Sequence, residues 1–479
     1  MPYSSLASTR RLLRGLFQLN RGAHRSSRSW SRVARLAVFG YHLPEHKGRA
    51  TRLLGGCRVR SMVSIARWSA LDALHDVDFR RLWLAGLFVN VGRWLDFLVL
   101  GWLVLDLTGS PFWVGLAAFC RFAPMIVLGL FAGLLIDRLP RGRLLVGVQC
   151  VNFGVSVLFA VLFATGHGGL WWLIGLETVL GIAWAIDFPS RRTAVFTLVG
   201  PKRVTNAVSL ESVSMQGTKI VGPVLGGVLL ARLGPVACYL VLAALSLGAL
   251  LLTLSLARRA SFPASSRGDE SILSGLATGF REARWQPAIF GVLVITIVMN
   301  GLVFPYQQIL PVFARDVLEI GPELLGVLVA VGGVGTLVGA FWTAGQRDFV
   351  AHRQVFVAGS MLAAVLVVVQ SFSPGYWTSL PIQFAIGIAD AGFGTMQSTI
   401  VLLAAHERAR GRVLGILSVC IGTNPIGSLG VATLSTYVGA PVAFGSAAAL
   451  ALLLMVPSAL RLLSEGTRPL RVVREEQPA

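Results

Sequence analysis

The chain has 479 residues, of which 54% are hydrophobic and 13% charged, with 42 Lys+Arg against 22 Asp+Glu and a formal net charge of +20. A soluble domain carries about 25% charged residues, and a mean hydropathy of +0.71 implies more apolar surface than a water-facing fold can hide. Composition therefore argues against a soluble enzyme, a DNA-binding protein and a disordered chain, and lipid is the solvent it implies.

Residues 1–61 hold 13 basic residues and one acid, Glu45, a local balance of +12, while the rest of the chain carries 29 against 21. The positive charge thus gathers in this start and at the ends of apolar runs, which is not the pattern of a nucleic-acid surface. The segment 1–78 reads as a basic extension, disordered or lying on an anionic membrane surface. Two origins fit it: an Arg/Ser-rich organelle presequence, or translated upstream DNA ahead of a true start at Met62. The 39 Arg against 3 Lys suit a GC-rich bacterial gene and favour the second.

From Leu82 onward one unit repeats: an apolar run of about 18–25 residues, long enough to cross a bilayer core as a helix, then a short break. The expected spans are 82–105, 112–136, 144–165, 170–189, 207–231, 235–257, 287–313, 323–344, 354–372, 377–404, 412–435 and 441–463. The breaks LTGSP, TGHGG, LGP, EIGPE, FSPGY and VGAP are rich in Gly and Pro. One connection, 258–286, is long. Within it, ILSGLATGFREARW (272–285) sets Ile272, Leu276 and Phe280 opposite Arg281, Glu282 and Arg284. That reads either as an interfacial helix or as a solvated linker.

The even-numbered breaks hold 17 Lys or Arg and the odd-numbered ones two, Arg232 and Arg315. By the positive-inside rule both termini and the central loop are expected to be cytoplasmic. The expected organisation is a six-helix bundle over 79–258, a linker over 259–286, a second bundle over 287–463 and a tail over 464–479. The halves also repeat in sequence. TGSPFWVGL (108–116) answers to EIGPELLGVL (319–328), GPVLGG (222–227) to GSLGVA (427–432), and LGPVACYL (233–240) to GAPVAFGS (439–446). Parallel repeats of this kind rock about a central cavity in alternating access.

GLLIDRLPRGR (133–143) resembles the signature of the major facilitator superfamily, with Gly133, Leu135, Asp137, Arg138 and Arg141 in register. The resemblance implies a latch on the outward-facing state built from Gly133, Asp137, Arg138 and Arg141. At the matching place in the second half, GAFWTAGQRDF (339–349), Thr343 replaces the aspartate. AIDFPSRRTAVFTLV (185–199), VTNAVSL (204–210) and IVGPVLGG (220–227) resemble the bacterial exporter branch that includes enterobactin and macrolide efflux proteins. Gly222, Pro223, Gly226 and Gly227 resemble the glycine-proline motif of the antiporter subgroup, although Thr218 stands where its preceding glycine belongs. The same residues also suit tight packing and a kink.

A charge at mid-bilayer costs roughly 2.5–3.5 kcal/mol on the insertion scale, so each such group must face a cavity or a partner. Asp96, Glu177 and Asp390 are the proton-coupling candidates. Asp96 can pair with Arg93 on its own helix face or with Arg121. Asp390 has no cation within a turn and suits proton carriage, or else polar packing against Asn300 or Gln383. Glu211 and Asp187 read as merely interfacial. Asn90, Arg93, Arg121, Asn300, Gln307 and Gln397 are the substrate-cavity candidates, with Gln308, Trp94, Phe97, Phe304 and Tyr306 beside them. All seven histidines are expected in tails or loops.

Five scattered cysteines have neither disulfide nor metal-site spacing. Gly217-Thr218-Lys219 lacks the order of a phosphate-binding loop, and the Gly332–Gly339 cluster lies inside an apolar span, where small-residue helix packing explains it. No cofactor and no metal are expected. The expectation is a monomeric, multi-pass bacterial cell-membrane exporter of a small amphipathic molecule, driven by protons. An importer of the same fold and a non-transporting sensor or lipid-moving protein are the alternatives.

Overall fold

The computed structural model describes residues 72–138, 141–259, 286–344, 349–405 and 410–464, together with Arg281 and Arg284. The basic extension as far as residue 71, most of the 272–285 stretch and the tail beyond 464 lie outside the described residues. So do the side chains of Gly133, Asp137, Arg138 and Arg141.

Every regular element among the described residues is helical. The first half comprises α1 (Val77–Thr108), α2 (Pro111–Arg138), α3 (Arg141–Ala164) and α4 (Leu170–Ala257). The second comprises α5 (Pro287–Val298), α6 (Tyr306–Asp316), α7 (Pro322–Ala344), α8 (Phe349–Ser371), α9 (Tyr376–Ala404), α10 (Arg410–Ile421), α11 (Asn424–Val438) and α12 (Ala440–Ser464). Ten stretches among the described residues are long and apolar enough to cross a membrane. All these residues belong to one unit, and a single hydrophobic cluster runs from Leu95 in α1 to Leu462 in α12.

Local chemistry sets the ends and bends. Asp76 caps α1 by accepting from the backbone N–H of Asp78 at 2.9 Å and of Phe79 at 3.0 Å. The helix stops at Gly109, whose φ of 63° closes the turn. In α4, Gly200 (φ 67°, ψ 174°) and Gly234 (φ 79°, ψ −177°) adopt backbone that other residues avoid. They divide this helix into segments 170–199, 201–233 and 235–257. Gly109 and Gly234 fall in the LTGSP and LGP breaks, and Gly439 (φ 81°) in VGAP. Between α5 and α6, Pro305 has no N–H to donate, and the Phe304 N–H reaches back to the Met299 carbonyl at 2.9 Å. The result is a π turn over Met299–Val303.

Glycine makes the close approaches between helices. Gly335 and Gly339 of α7 rest on the carbonyls of Phe384 and Ile388 in α9, and Gly387 rests on that of Gly332. Side chains there would force the helices apart. At several helix ends bulky rings face outward: Trp171 is 72% exposed, Phe372 80%, Trp377 80% and Tyr437 82%. Aromatic girdles of this kind suit the edges of a bilayer.

Candidate functional site

Gly181 in α4 lies against the backbone carbonyl of Arg121 in α2, so the two helices touch without an intervening side chain. Glu177, one turn earlier on the same face of α4, is thereby brought within reach of the Arg121 guanidinium. Asp96 of α1 approaches from the other side. Nη1 of Arg121 donates to Asp96 Oδ2 and to Glu177 Oε2. Asp96 is 3% exposed, Arg121 7% and Glu177 0%. The second oxygen of each carboxylate, Asp96 Oδ1 and Glu177 Oε1, is buried without a hydrogen-bond partner.

Of the two partners open to Asp96, the structure selects Arg121. Arg93 turns away, its guanidinium 4.8 Å above the Trp184 ring, where cation–π attraction replaces the pairing along the helix. Asp187, expected near a cytoplasmic helix end, is not exposed there. It is buried, accepts from Arg191 Nε and Nη2 at 3.1 Å each and faces Gln149 Nε2 at 3.4 Å. Arg191 also donates to the Leu82 carbonyl at 3.1 Å, which ties this network to α1. The i, i+4 spacing of Asp187 and Arg191 is the signal that could have revealed the pair. His352 is likewise no loop residue: it is buried in the first turn of α8.

Two cavities lie within the first half. One is lined by Arg93, Asp96, Arg121, Asn152, Trp184 and Tyr239 among others. The other lies between α1 and α4 and includes Asn90, Arg93, Asp187, Arg191 and Glu211. They share Arg93 and Asp187, so polar lining runs continuously from the region of Arg191 to the Asp96–Arg121–Glu177 cluster.

In the second half, Asn300 donates to the Thr296 carbonyl at 2.9 Å and Gln397 to the Thr296 hydroxyl at 2.6 Å. Both amides therefore brace the π turn. Gln307 and Gln308 are half-buried. Gln383 donates to the Tyr306 hydroxyl at 3.1 Å. Asp390 has no basic neighbour on its own span, and its Oδ1 is buried without a hydrogen-bond partner. Thr343, the counterpart of the first-half latch aspartate, is buried and bonds the Ala340 carbonyl at 3.0 Å.

The repeated motifs meet crosswise between the halves. Gly115 of α2 packs on Ser428 and Ala432 of α11, and Gly326 of α7 packs on the Pro223 carbonyl of α4. Gly227 meets the Pro322 carbonyl, while Gly222 and Gly226 hold α4 against Val91, Trp94 and Leu95 of α1. Gly101 faces Pro311. These cross-half contacts lie toward the odd-numbered breaks.

Helices of membrane-crossing length, an internal repeat and a buried charge cluster beside a cavity define a membrane transporter of the major facilitator type. Residues 68–469 match the family described as transmembrane secretion effector, and the chain belongs to that family. It is similar to the multidrug efflux pump Tap of Mycolicibacterium fortuitum, 25% identical over 392 residues that cover 75% of this chain and 90% of that protein. It is also similar to the staphyloferrin A transporter of Staphylococcus aureus, 23% identical over 344 residues, or 71% of this chain and 85% of that one. The fold resembles that of a bacterial homolog to the human lysosomal transporter Spinster, solved inward-facing and unoccupied. The TM-score is 0.63 at 14% identity, over 81% of this chain and 96% of that one.

Proposed function

We propose that the chain exports a small amphipathic molecule by alternating access, driven by protons moving inward, through twelve spans with both termini cytoplasmic. Ten stretches carry the apolar signature. Dividing Asn206–Ala257 at Gly234 and adding Pro111–Arg138 brings the number to twelve. With that orientation the end where glycines of the two halves meet faces outward. Efflux is supported by the likeness to Tap.

The observation that carries proton coupling is the sharing of one guanidinium by Asp96 and Glu177. Fully ionised, the cluster is one negative charge in excess, and a single proton balances it. A group that gains and loses that proton as the halves rock supplies the coupling step. Asp390 is the corresponding candidate in the second half. The latch residues Gly133, Asp137, Arg138 and Arg141 would hold the opposite, outward-facing state.

Everted membrane vesicles test the proposal. A panel of dyes and drugs should be taken up when an inward-acid gradient is imposed, and uptake should collapse with an uncoupler. Uptake indifferent to the gradient would exclude proton drive.

A further inference from the structure

Gln149 of α3 is fully buried and joins two helices of the first half. Its Nε2 donates to Asp187 Oδ1 of α4 at 3.4 Å, and its Oε1 accepts from Asn152 Nδ2 at 3.3 Å. Asn152 lines the cavity that Asp96 and Arg121 share; Asp187 lines that cavity and also the second one, which reaches Arg191 and Glu211. Every lining residue of both cavities comes from the first half, so the polar interior they form belongs to one bundle alone. Toward the odd-numbered breaks it ends on Tyr239, whose ring stacks on Phe159 at 4.5 Å and on Phe163 at 5.5 Å. The opposite end lies beside Arg191, the cytoplasmic end in the orientation proposed above. Asp96, Trp184 and Tyr239 line the first cavity, and Asp96 Oδ1, Trp184 Nε1 and Tyr239 Oη have no hydrogen-bond partner among the described residues. Water satisfies buried groups of this kind. The charged groups that line this cavity with Asp96 are Arg93 on its own helix, Arg121 of α2 and Asp187 of α4, with Glu177 bound to Arg121 behind them. From α3 come Asn152, Ser156 and Phe159, none of which carries charge.

We propose that the coupling proton leaves Asp96 through the interior of the first half, carried by water in the two cavities to the Arg191 end, and that Gln149 is the positioning residue that keeps the cavities joined. Asp96 lines the route and Glu177 does not, so the transfer takes place at Asp96. There the O–H bond of the protonated carboxyl breaks, a cavity water takes the proton as hydronium, and the carboxylate left behind stays on Arg121. The amides of Gln149 and Asn152 carry no proton themselves. They fix the wall of the cavities and offer the water donors and acceptors in set positions. This route rests on the proton-driven reading above and adds the path to it: a proton that leaves through one bundle does not share the space that the halves open as they rock.

The route is tested on the full chain in lipid nanodiscs. After a rapid pH jump, time-resolved infrared spectroscopy follows the carboxyl band that disappears in Asp96→Asn. Gln149→Leu should slow the response of that band at least tenfold and leave its midpoint pH where it stands in the wild type, a change of rate that a merely structural role would not produce. Asn152→Leu, which fills the cavity wall and leaves Asp187 in place, should slow it as well, and decides the matter should Gln149→Leu fail to fold. Radiolytic hydroxyl labelling reads the water independently. Tyr239 should be oxidised at least fivefold faster than Tyr306, which is as deeply buried but has its hydroxyl engaged by Gln383. Wild-type speed in a folded variant, or a Tyr239 as protected as Tyr306, would overturn the route. With Asp96 still titrating, either result leaves the proton-driven reading standing, whereas a wild type with no Asp96 band at any pH would remove both.

Discussion

Arg315 of α6 donates from Nη1 to the carbonyl oxygen of Leu105 in α1, at 2.9 Å, and so ties the second half of the chain to the last turn of the first helix. Arg232, the other arginine in an odd-numbered break, pairs across the halves with Glu323 at 3.3 Å. The two arginines that stand apart from the charge asymmetry of the sequence therefore both bridge the halves, at the end where their glycines meet. An arginine there runs against the topological rule, and a structural role between the halves gives it a reason to be present.

The Arg232–Glu323 pair is exposed and contributes about 0–1 kcal/mol, and the Arg315–Leu105 hydrogen bond is part-buried. Arg315→Met combined with Arg232→Met should leave the unfolding midpoint almost unchanged. It should raise, severalfold, the rate at which a membrane-impermeant maleimide added outside labels a cysteine placed at Ala432. An unchanged rate would show that the ties do not hold this end shut.

The glycine contacts make a steeper prediction. A side chain at Gly227 or Gly326 meets the carbonyl of Pro322 or Pro223 and cannot be accommodated by a rotamer change, since the obstacle is backbone. Gly227→Val and Gly326→Val should each reduce vesicle uptake at least tenfold, with the same rise in labelling at that end.

Arg121 holds two buried carboxylates, and removing one partner from a buried ion pair costs about 3–5 kcal/mol. Arg121→Met should lower the unfolding midpoint strongly. Adding Asp96→Asn and Glu177→Gln should recover most of that loss without restoring transport. Recovery of uptake in the triple variant would mean the cluster is only a structural strut.

Asp96→Asn and Glu177→Gln taken singly should abolish gradient-driven uptake while leaving exchange of substrate down its own gradient. The wild type should respond to the imposed pH difference, and these variants should give a flat line. A variant that still responds is not carrying the coupling proton at that residue.

Topology is open to a direct check. Single cysteines at Gly168 and at Arg267 should be labelled from opposite faces of the membrane, and labelling from one face would end the twelve-span reading.

Much of the architecture was legible because its cause is local. Apolar runs of bilayer length announce helices, and Gly109, Gly234 and Gly439 mark breaks because their positive φ values suit glycine alone. The crosswise docking of GPVLGG and GSLGVA was half legible: the repeat was visible, but which copy would meet which helix was not. Asp96, Arg121 and Glu177 were each conspicuous as charges at depth, yet their meeting depends on Gly181 allowing α4 onto α2, a tertiary fact. The burial of Asp187 was not legible, because distance from a helix end says little about burial when Gln149 and Arg191 close over it.

A seam built from glycine against carbonyl has few fasteners to undo. The carbonyls concerned already belong to their own helices, so parting them strands few polar groups. What is lost is dispersion, about 0.1–0.2 kcal/mol for each atom pair, spread along two strips of backbone. Such a closure resists leakage through its tightness yet yields to a modest push, and the energy released by one proton or one bound molecule is of the order needed to unzip it.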